Sequence, residues 1–287
     1  MNRAFFGVSL LLLAVPVVAV AQGINTNVAL PVAKGEGIWR SQLRTTVATD
    51  DPSGQDRELR AFVLPQTLVY GFTPRLTAFA TLPILADRQV DTPSGTMNED
   101  AALGDLKLLG RYTFFIDDYA PLSTKRGAVL AGMKFPTGAD RFGTPSFDPI
   151  LGAVGTWAAN RHELDLDTLY TITTERNGVE AGDQLQYDVA YRYRFWPKKF
   201  GGRLVQLNGV LELNGRWTGR SRVDGSTESN SGGNVLFLSP GVQFITQRFI
   251  VEASVQVPVV QDLNGSQLEK DFVAVFSLRV PFELSLW

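Results

Sequence analysis

The chain has one histidine, no cysteine and three methionines, so its capacity for chemistry is narrow. A catalytic triad needs an imidazole beside a nucleophile, and only His162 can supply it. His162 stands in Asn160-Arg161-His162-Glu163, which reads as a tight turn, and no Gly-x-Ser-x-Gly elbow occurs. His162-Glu163 also lacks the second histidine four residues on that a zinc-protease helix needs. Without thiolates, a soft-metal relay cannot be built. Glu163, Asp165 and Asp167 supply the oxygen ligands that hard cations prefer, but the same spacing suits a hydrated acidic wall. No phosphate-cradling glycine loop is present. No cofactor, no metal site and no enzymatic activity are therefore expected.

These charged residues sit in segments that alternate with a period of two, the signature of half-buried strands. Leu164, Leu166, Thr168, Tyr170 and Ile172 alternate with Glu163, Asp165 and Asp167. Val205, Leu207, Leu211 and Leu213 alternate with Gln206, Asn208, Glu212 and Asn214. Twelve such segments are predicted. They are Ile38–Thr49, Glu58–Tyr70, Leu76–Leu85, Asp105–Phe114, Ala128–Phe135, Ile150–Trp157, Glu163–Ile172, Gln184–Phe195, Val205–Asn214, Val235–Ile245, Val251–Val257 and Phe272–Phe282. Short connections, such as Gly71 to Arg75 and Thr246 to Arg248, take turns with long polar ones, such as Thr137 to Asp148 and Gly219 to Gly233.

A soluble sandwich and a membrane barrel share this alternation, because only the identity of the solvent on each face differs. Two features favour the barrel. The polar faces carry dense charge, which suits a wet lumen, and aromatics such as Trp39, Tyr70, Trp157, Tyr193, Phe195 and Trp217 suit interfacial girdles. Closing the sheet also satisfies every backbone group within hydrocarbon. The fold class expected is an all-β, transmembrane, antiparallel up-and-down β-barrel of about 12 strands, with both termini periplasmic.

The ends of the chain agree. Arg3, the apolar run Ala4 to Val18 and Ala19-Val20-Ala21 form a secretory signal over residues 1–21. Its removal takes one Arg and no acid, leaving 26 basic side chains against 29 acidic, a net charge of −3. That is no footprint for nucleic acid. Residues 22–37 are expected as a periplasmic tail or a plug-like segment, and residues 38–287 as the barrel. The last strand ends on Trp287, a terminal aromatic that the barrel-assembly machinery is expected to engage.

Within a closed barrel the alternation assigns candidate lumen residues. Arg40, Arg44, Arg60 and Arg279 fall on a basic wall. Glu163, Asp165 and Asp167 fall on strand seven, opposite strand one in a ring of twelve. Asp105, Lys107, Arg111, Asp188, Arg192, Arg194 and Glu212 complete the polar lining. Either the two walls set up a transverse field that tunes selectivity, or the charges pair with neighbours and fill the interior.

Several motifs carry a resemblance. Pro65-Gln66-Thr67-Leu68-Val69-Tyr70-Gly71-Phe72-Thr73-Pro74, Gly104-Asp105-Leu106-Lys107, Lys134-Phe135-Pro136-Thr137-Gly138, Ser239-Pro240-Gly241 and Val257-Pro258-Val259-Val260-Gln261-Asp262 follow one another in an order that resembles the phenol-degradation meta-pathway outer-membrane proteins. The resemblance implies an outer-membrane transporter. The expected function is a channel for small solutes, aromatic or hydrophobic compounds among them, with outer-membrane lipid and a small-molecule solute as partners. The alternatives are a barrel-embedded lipid hydrolase and a closed structural or adhesion barrel with functional outer loops. Outer-membrane phospholipases of this size class place Ser and His toward the outer leaflet, whereas His162 is expected at a periplasmic turn.

Overall fold

The computed structural model describes residues 23–139, 142–199 and 205–284. Residues 1–21, expected as a secretory signal, and Trp287 lie outside them. Twelve antiparallel strands form one ring. They are β1 Glu36–Ala48, β2 Glu58–Gly71, β3 Leu76–Thr92, β4 Leu106–Ala120, β5 Ser123–Phe135 and β6 Asp148–Ala159. The ring continues through β7 His162–Thr171, β8 Gln184–Trp196, β9 Gln206–Thr218, β10 Gly233–Ile245, β11 Ile250–Leu263 and β12 Phe272–Glu283. Each strand pairs with its chain neighbours, and β12 closes on β1 over twelve register pairs, from Glu36 opposite Glu283 to Val47 opposite Phe272.

The distribution of exposure decides between water and lipid. In β9, Leu207, Leu211, Leu213 and Trp217 are exposed, whereas Asn208, Glu212 and Asn214 are buried. A soluble sandwich would reverse this. Apolar outside and polar inside is the arrangement of a membrane barrel, and the closed ring leaves no unpaired sheet edge in hydrocarbon. The protein is therefore an outer-membrane β-barrel. Trp39, Trp157 and Phe195 are exposed near the end of the ring that holds the short turns. That end is periplasmic, and these residues with Tyr70 and Tyr193 form its girdle. Trp217 stands at the outer end.

All twelve expected strands are present, several of them longer than expected. β3 runs to Thr92, beyond Leu85, and folds back as a hairpin onto Gly95–Glu99. The added residues Asp87, Arg88, Gln89 and Asp91 are wet on both faces, so no hydrophobic period marks them. β11 likewise continues to Leu263. Two outer loops join through a small separate sheet of Val179–Glu180, Arg222–Val223 and Ser226–Thr227.

Candidate functional site: the lumen and its strap

Residues 23–34 run inside the ring as an irregular strap, bent at residues 24–26 and 29. Ile24, Val28, Ala29 and Val32 are no more than 4 % exposed. Three of them seat in inward-facing apolar clusters on the wall. Ile24 packs with Val210, Val235, Phe237, Val273 and Val275. Ala29 packs with Ala128, Leu130 and Val154, and Val32 with Ile38, Val69 and Phe79. Removing these side chains from water supplies a non-directional hold.

Polar wall residues supply direction. A segment with no partner strand leaves its N–H and C=O groups open, and burial demands that each find a partner. Glu212 accepts from the N–H groups of Asn25 and Thr26 at 3.1 and 3.2 Å. Asp167 accepts from the Asn27 N–H at 3.3 Å and from its side-chain amide. Thr156 accepts from the Ala29 N–H at 2.8 Å, and Thr77 from the Val32 N–H at 3.2 Å. Carbonyls are met by cations: Arg111 donates to Val28 and Leu30 at 2.6 and 2.5 Å, Arg279 to Gly23 at 2.9 Å, and Arg40 to Ile24. Thr113 donates to the Ala29 carbonyl at 3.0 Å.

The expected lumen residues thus separate by height. In the periplasmic half, Arg40, Arg111, Asp167, Glu212 and Arg279 hold the strap. Glu163 pairs with Arg192, and Asp165 accepts from Thr156 at 2.5 Å. Arg194 is buried near the same end. Local pairing, rather than an open transverse field, describes this half, because the strap occupies the space between Arg40 and Asp167. Asp167 and Asp188 lie directly opposite each other across β7 and β8. Each is more than nine-tenths buried, and the two side chains are within hydrogen-bonding reach of each other, with Asn214 beside Asp188.

Arg60 departs from expectation. It is paired in register with Val47, on the outward face shared by Phe62 and Thr45, and it contacts Glu58 at 3.9 Å near the outer rim. Alternation along β2 is unbroken and places it there: Phe62 and Leu68 share its outward face and are exposed, whereas Ala61 and Val69 are buried. His162 is exposed at the periplasmic end, its Nδ1 2.7 Å from the Tyr191 hydroxyl.

Above the strap the lumen opens into a cavity of about 610 Å³. Asn25 and Asn27 of the strap line it together with Arg44, Asp188, Arg216 and Lys270. Arg44 donates to Asn25 at 3.2 Å and to Gln256 at 2.5 Å. Lys107 points into the same outer half, opposite Thr81 and Lys134 in the register.

Residues 67–259 match the family described as "Putative MetA-pathway of phenol degradation". The chain belongs to this family. A crystal structure described as the COG4313 outer membrane channel from Pseudomonas putida F1 is similar over 88 % of this chain and 98 % of that one, with a TM-score of 0.68 and 15 % identity. At that identity the likeness is one of fold. The β domain of the Bordetella autotransporter Brka is similar over 87 % of this chain and 100 % of its own, with a TM-score of 0.49 and 13 % identity. No curated protein sequence matches the chain.

In this phenol-degradation-family barrel the motif residues meet at two places. Gly71 and Gly241 border the strap: a Cβ on Gly71 would fall 2.2 Å from the Ala33 carbonyl, and one on Gly241 would fall 2.5 Å from the Ile24 side chain. The Gly104–Lys107 and Lys134–Gly138 motifs build a clasp at the outer rim. Asp105 accepts from the N–H groups of Gly138 and Thr144 at 2.9 and 2.8 Å. Lys134 bridges Asp105 at 3.0 Å and Asp148 at 2.9 Å, and Thr137 accepts from the Leu106 N–H at 2.9 Å. Burial raises the Asp105 pKa, but its bonds from Thr144, Lys134 and Gly138 outweigh this and hold it below the usual carboxylate range. The clasp fixes the base of the loop between β5 and β6.

Sequence reasoning missed Glu252 and the apolar lumen stripe. Glu252 lies on the polar side of β11, and its register partner Ser277 stands two residues from Arg279, which is the signal that could have found it.

Proposed function

We propose that the protein is an outer-membrane channel for passive passage of small solutes, aromatic or hydrophobic compounds among them, with residues 23–34 forming its constriction. The observation that carries this reading is the strap itself. It divides a polar-walled lumen from an outer cavity of about 610 Å³ and is held by side chains that can let go. Its grip comes from hydrogen bonds and apolar seats, not from strand pairing with the ring. On this reading the last strand, β12, is the segment that the barrel-assembly machinery takes up. The dense packing around the strap also suits a filled structural barrel, so the test must separate the two.

The test is single-channel conductance of the refolded mature chain in a planar bilayer. Discrete openings whose ion selectivity changes in Arg44→Glu support the channel. Silence from a correctly folded barrel under voltage of either sign would instead establish a filled structural barrel.

A further inference from the structure

The outer cavity carries two unlike sets of side chains. Arg44 from β1, Arg216 from β9 and Lys270 from the loop before β12 line it. Among the described residues none of the three forms an ion pair. Arg216 is within electrostatic reach of both Arg44 and Lys270. Asp188 is the one acid among the described lining residues, and Gln186 already occupies one of its oxygens at 2.7 Å. Three cations against one carboxylate in a half-enclosed space is an unbalanced arrangement, since like charges repel more strongly as water is excluded. An anion entering the cavity would relieve that repulsion.

An apolar stripe lies on the wall between the two arginines: Val235 is the register partner of Arg216, and Val273 stands two residues from Val275, the partner of Arg44. Val235, Phe237 and Val273 turn into the lumen, backed by Leu263 in the cluster that also seats Ile24. An inward apolar stripe has no role in conducting hydrated ions. It does fit the common design of a ligand pocket, a largely apolar surface with a few convergent polar groups that fix orientation.

We propose that this cavity is a binding site for small organic anions with an apolar body. The carboxylate is set among Arg44, Arg216 and Lys270, and the hydrocarbon part lies on Val235, Phe237 and Val273. The proposal rests on the channel reading only in placing the site on a permeation path. Arg44 and Arg216 present forked donors suited to a carboxylate, while Lys270 contributes a point charge. The Asn25 amide, held by Arg44, forms part of the floor, so an anion drawn to Arg44 competes for a group that grips the strap.

The experiment uses the full mature chain in detergent, titrated calorimetrically with sodium benzoate and with benzyl alcohol at low salt. Benzoate is expected to bind at least tenfold more tightly than the alcohol. Arg216→Gln and Lys270→Gln are each expected to weaken benzoate by about tenfold, the scale of one charge-assisted hydrogen bond, and to leave the alcohol unchanged. Phe237→Ala should weaken both. Equal affinities, or no benzoate binding by a barrel shown to be folded by its heat-modifiable mobility on gels, would overturn the site. Conductance measured on the same preparations separates the two readings. Benzoate binding by a silent barrel refutes the channel and keeps the site, whereas conduction without benzoate preference refutes the site and keeps the channel.

Discussion

Arg40 and Arg279 stand directly opposite each other where β1 meets β12, and both guanidinium groups reach the carboxylate of Glu252. The Arg279 contact is the shorter, 2.9 Å against 3.4 Å, and the Glu252 side chain is wholly buried. Two adjacent cations at the seam of the ring need this anion. From the same positions Arg40 and Arg279 also donate to the carbonyls of Ile24 and Gly23. The seam and the strap therefore share one charge cluster.

Glu252→Gln removes the anion and leaves two buried guanidinium groups facing each other. Breaking a buried pair costs about 3–5 kcal/mol, so the variant should lose heat-modifiable mobility at a clearly lower temperature. The double variant Glu252→Gln, Arg279→Met should regain much of the loss, because one unpaired charge is gone. Equal stability of wild type and Glu252→Gln would show that the cluster adds nothing to closure.

Arg111→Met should loosen the strap while keeping the wall covered. Arg111 makes two bonds to strap carbonyls, and bonds from charged donors contribute about 1.5–3 kcal/mol each. Under the channel reading, the variant is expected to open more often or to a larger conductance. An unchanged bilayer record would deny the strap a part in gating.

Gly71→Val is a probe that does not depend on conduction. The new side chain would meet the Ala33 and Val32 carbonyls within 2.4 Å, where the strap leaves the ring. The strap backbone has to move, and Lys34 beside it should become a faster tryptic cleavage site. Cleavage at the wild-type rate would mean that the strap accommodates the side chain.

Acid should undo the outer clasp. The folded pKa of Asp105 is depressed, so its stabilising contribution is present at neutral pH, above the ordinary carboxyl value of about 3.9. It fades as pH falls through the depressed value. Protection factors of the Gly138 and Thr144 amides, corrected for the intrinsic slowing of exchange in acid, should fall with acidification, and Asp105→Asn should show reduced protection already at pH 7. Protection that is identical in Asp105→Asn would place the anchor elsewhere.

On the lipid face, Leu211→Arg puts a charge near the middle of β9. Such a substitution costs about 2–4 kcal/mol at the bilayer midplane, measurable by reversible folding into lipid vesicles. A neutral result would move this face out of hydrocarbon.

Twelve strands were legible because each carries a face that meets hydrocarbon, and alternation reports that face directly. Loop bases were legible as glycine and proline motifs. Their meeting was not: Asp105 and Gly138 are 33 residues apart, and nothing in either motif names the other. Lumen positions could be read from the same alternation wherever register was regular, as for Asp167 and Glu212. Reading failed at Arg60, which was grouped with the arginines of β1 although it shares a face of β2 with the exposed Phe62 and Leu68. The grip on the strap was illegible for a different reason. Gly23 to Lys34 has neither strand nor helix period, since its partners are single side chains scattered over eight strands. The apolar lumen stripe broke the rule that polar residues face inward, and its place becomes clear only in three dimensions, where it seats Ile24 and lines the outer cavity.

The placement of the strap bears on how the molecule is made. The last strand to be synthesised, β12, must find the first, β1, and the arginines on both sides of that join also hold Gly23 and Ile24. An empty ring closing first would bring Arg40 and Arg279 together with only Glu252 between them and leave Glu212 and Asp167 without donors. Closure and filling are thus favoured as one event. The amino-terminal segment then acts as a template around which the wall is wrapped, present before the cylinder exists.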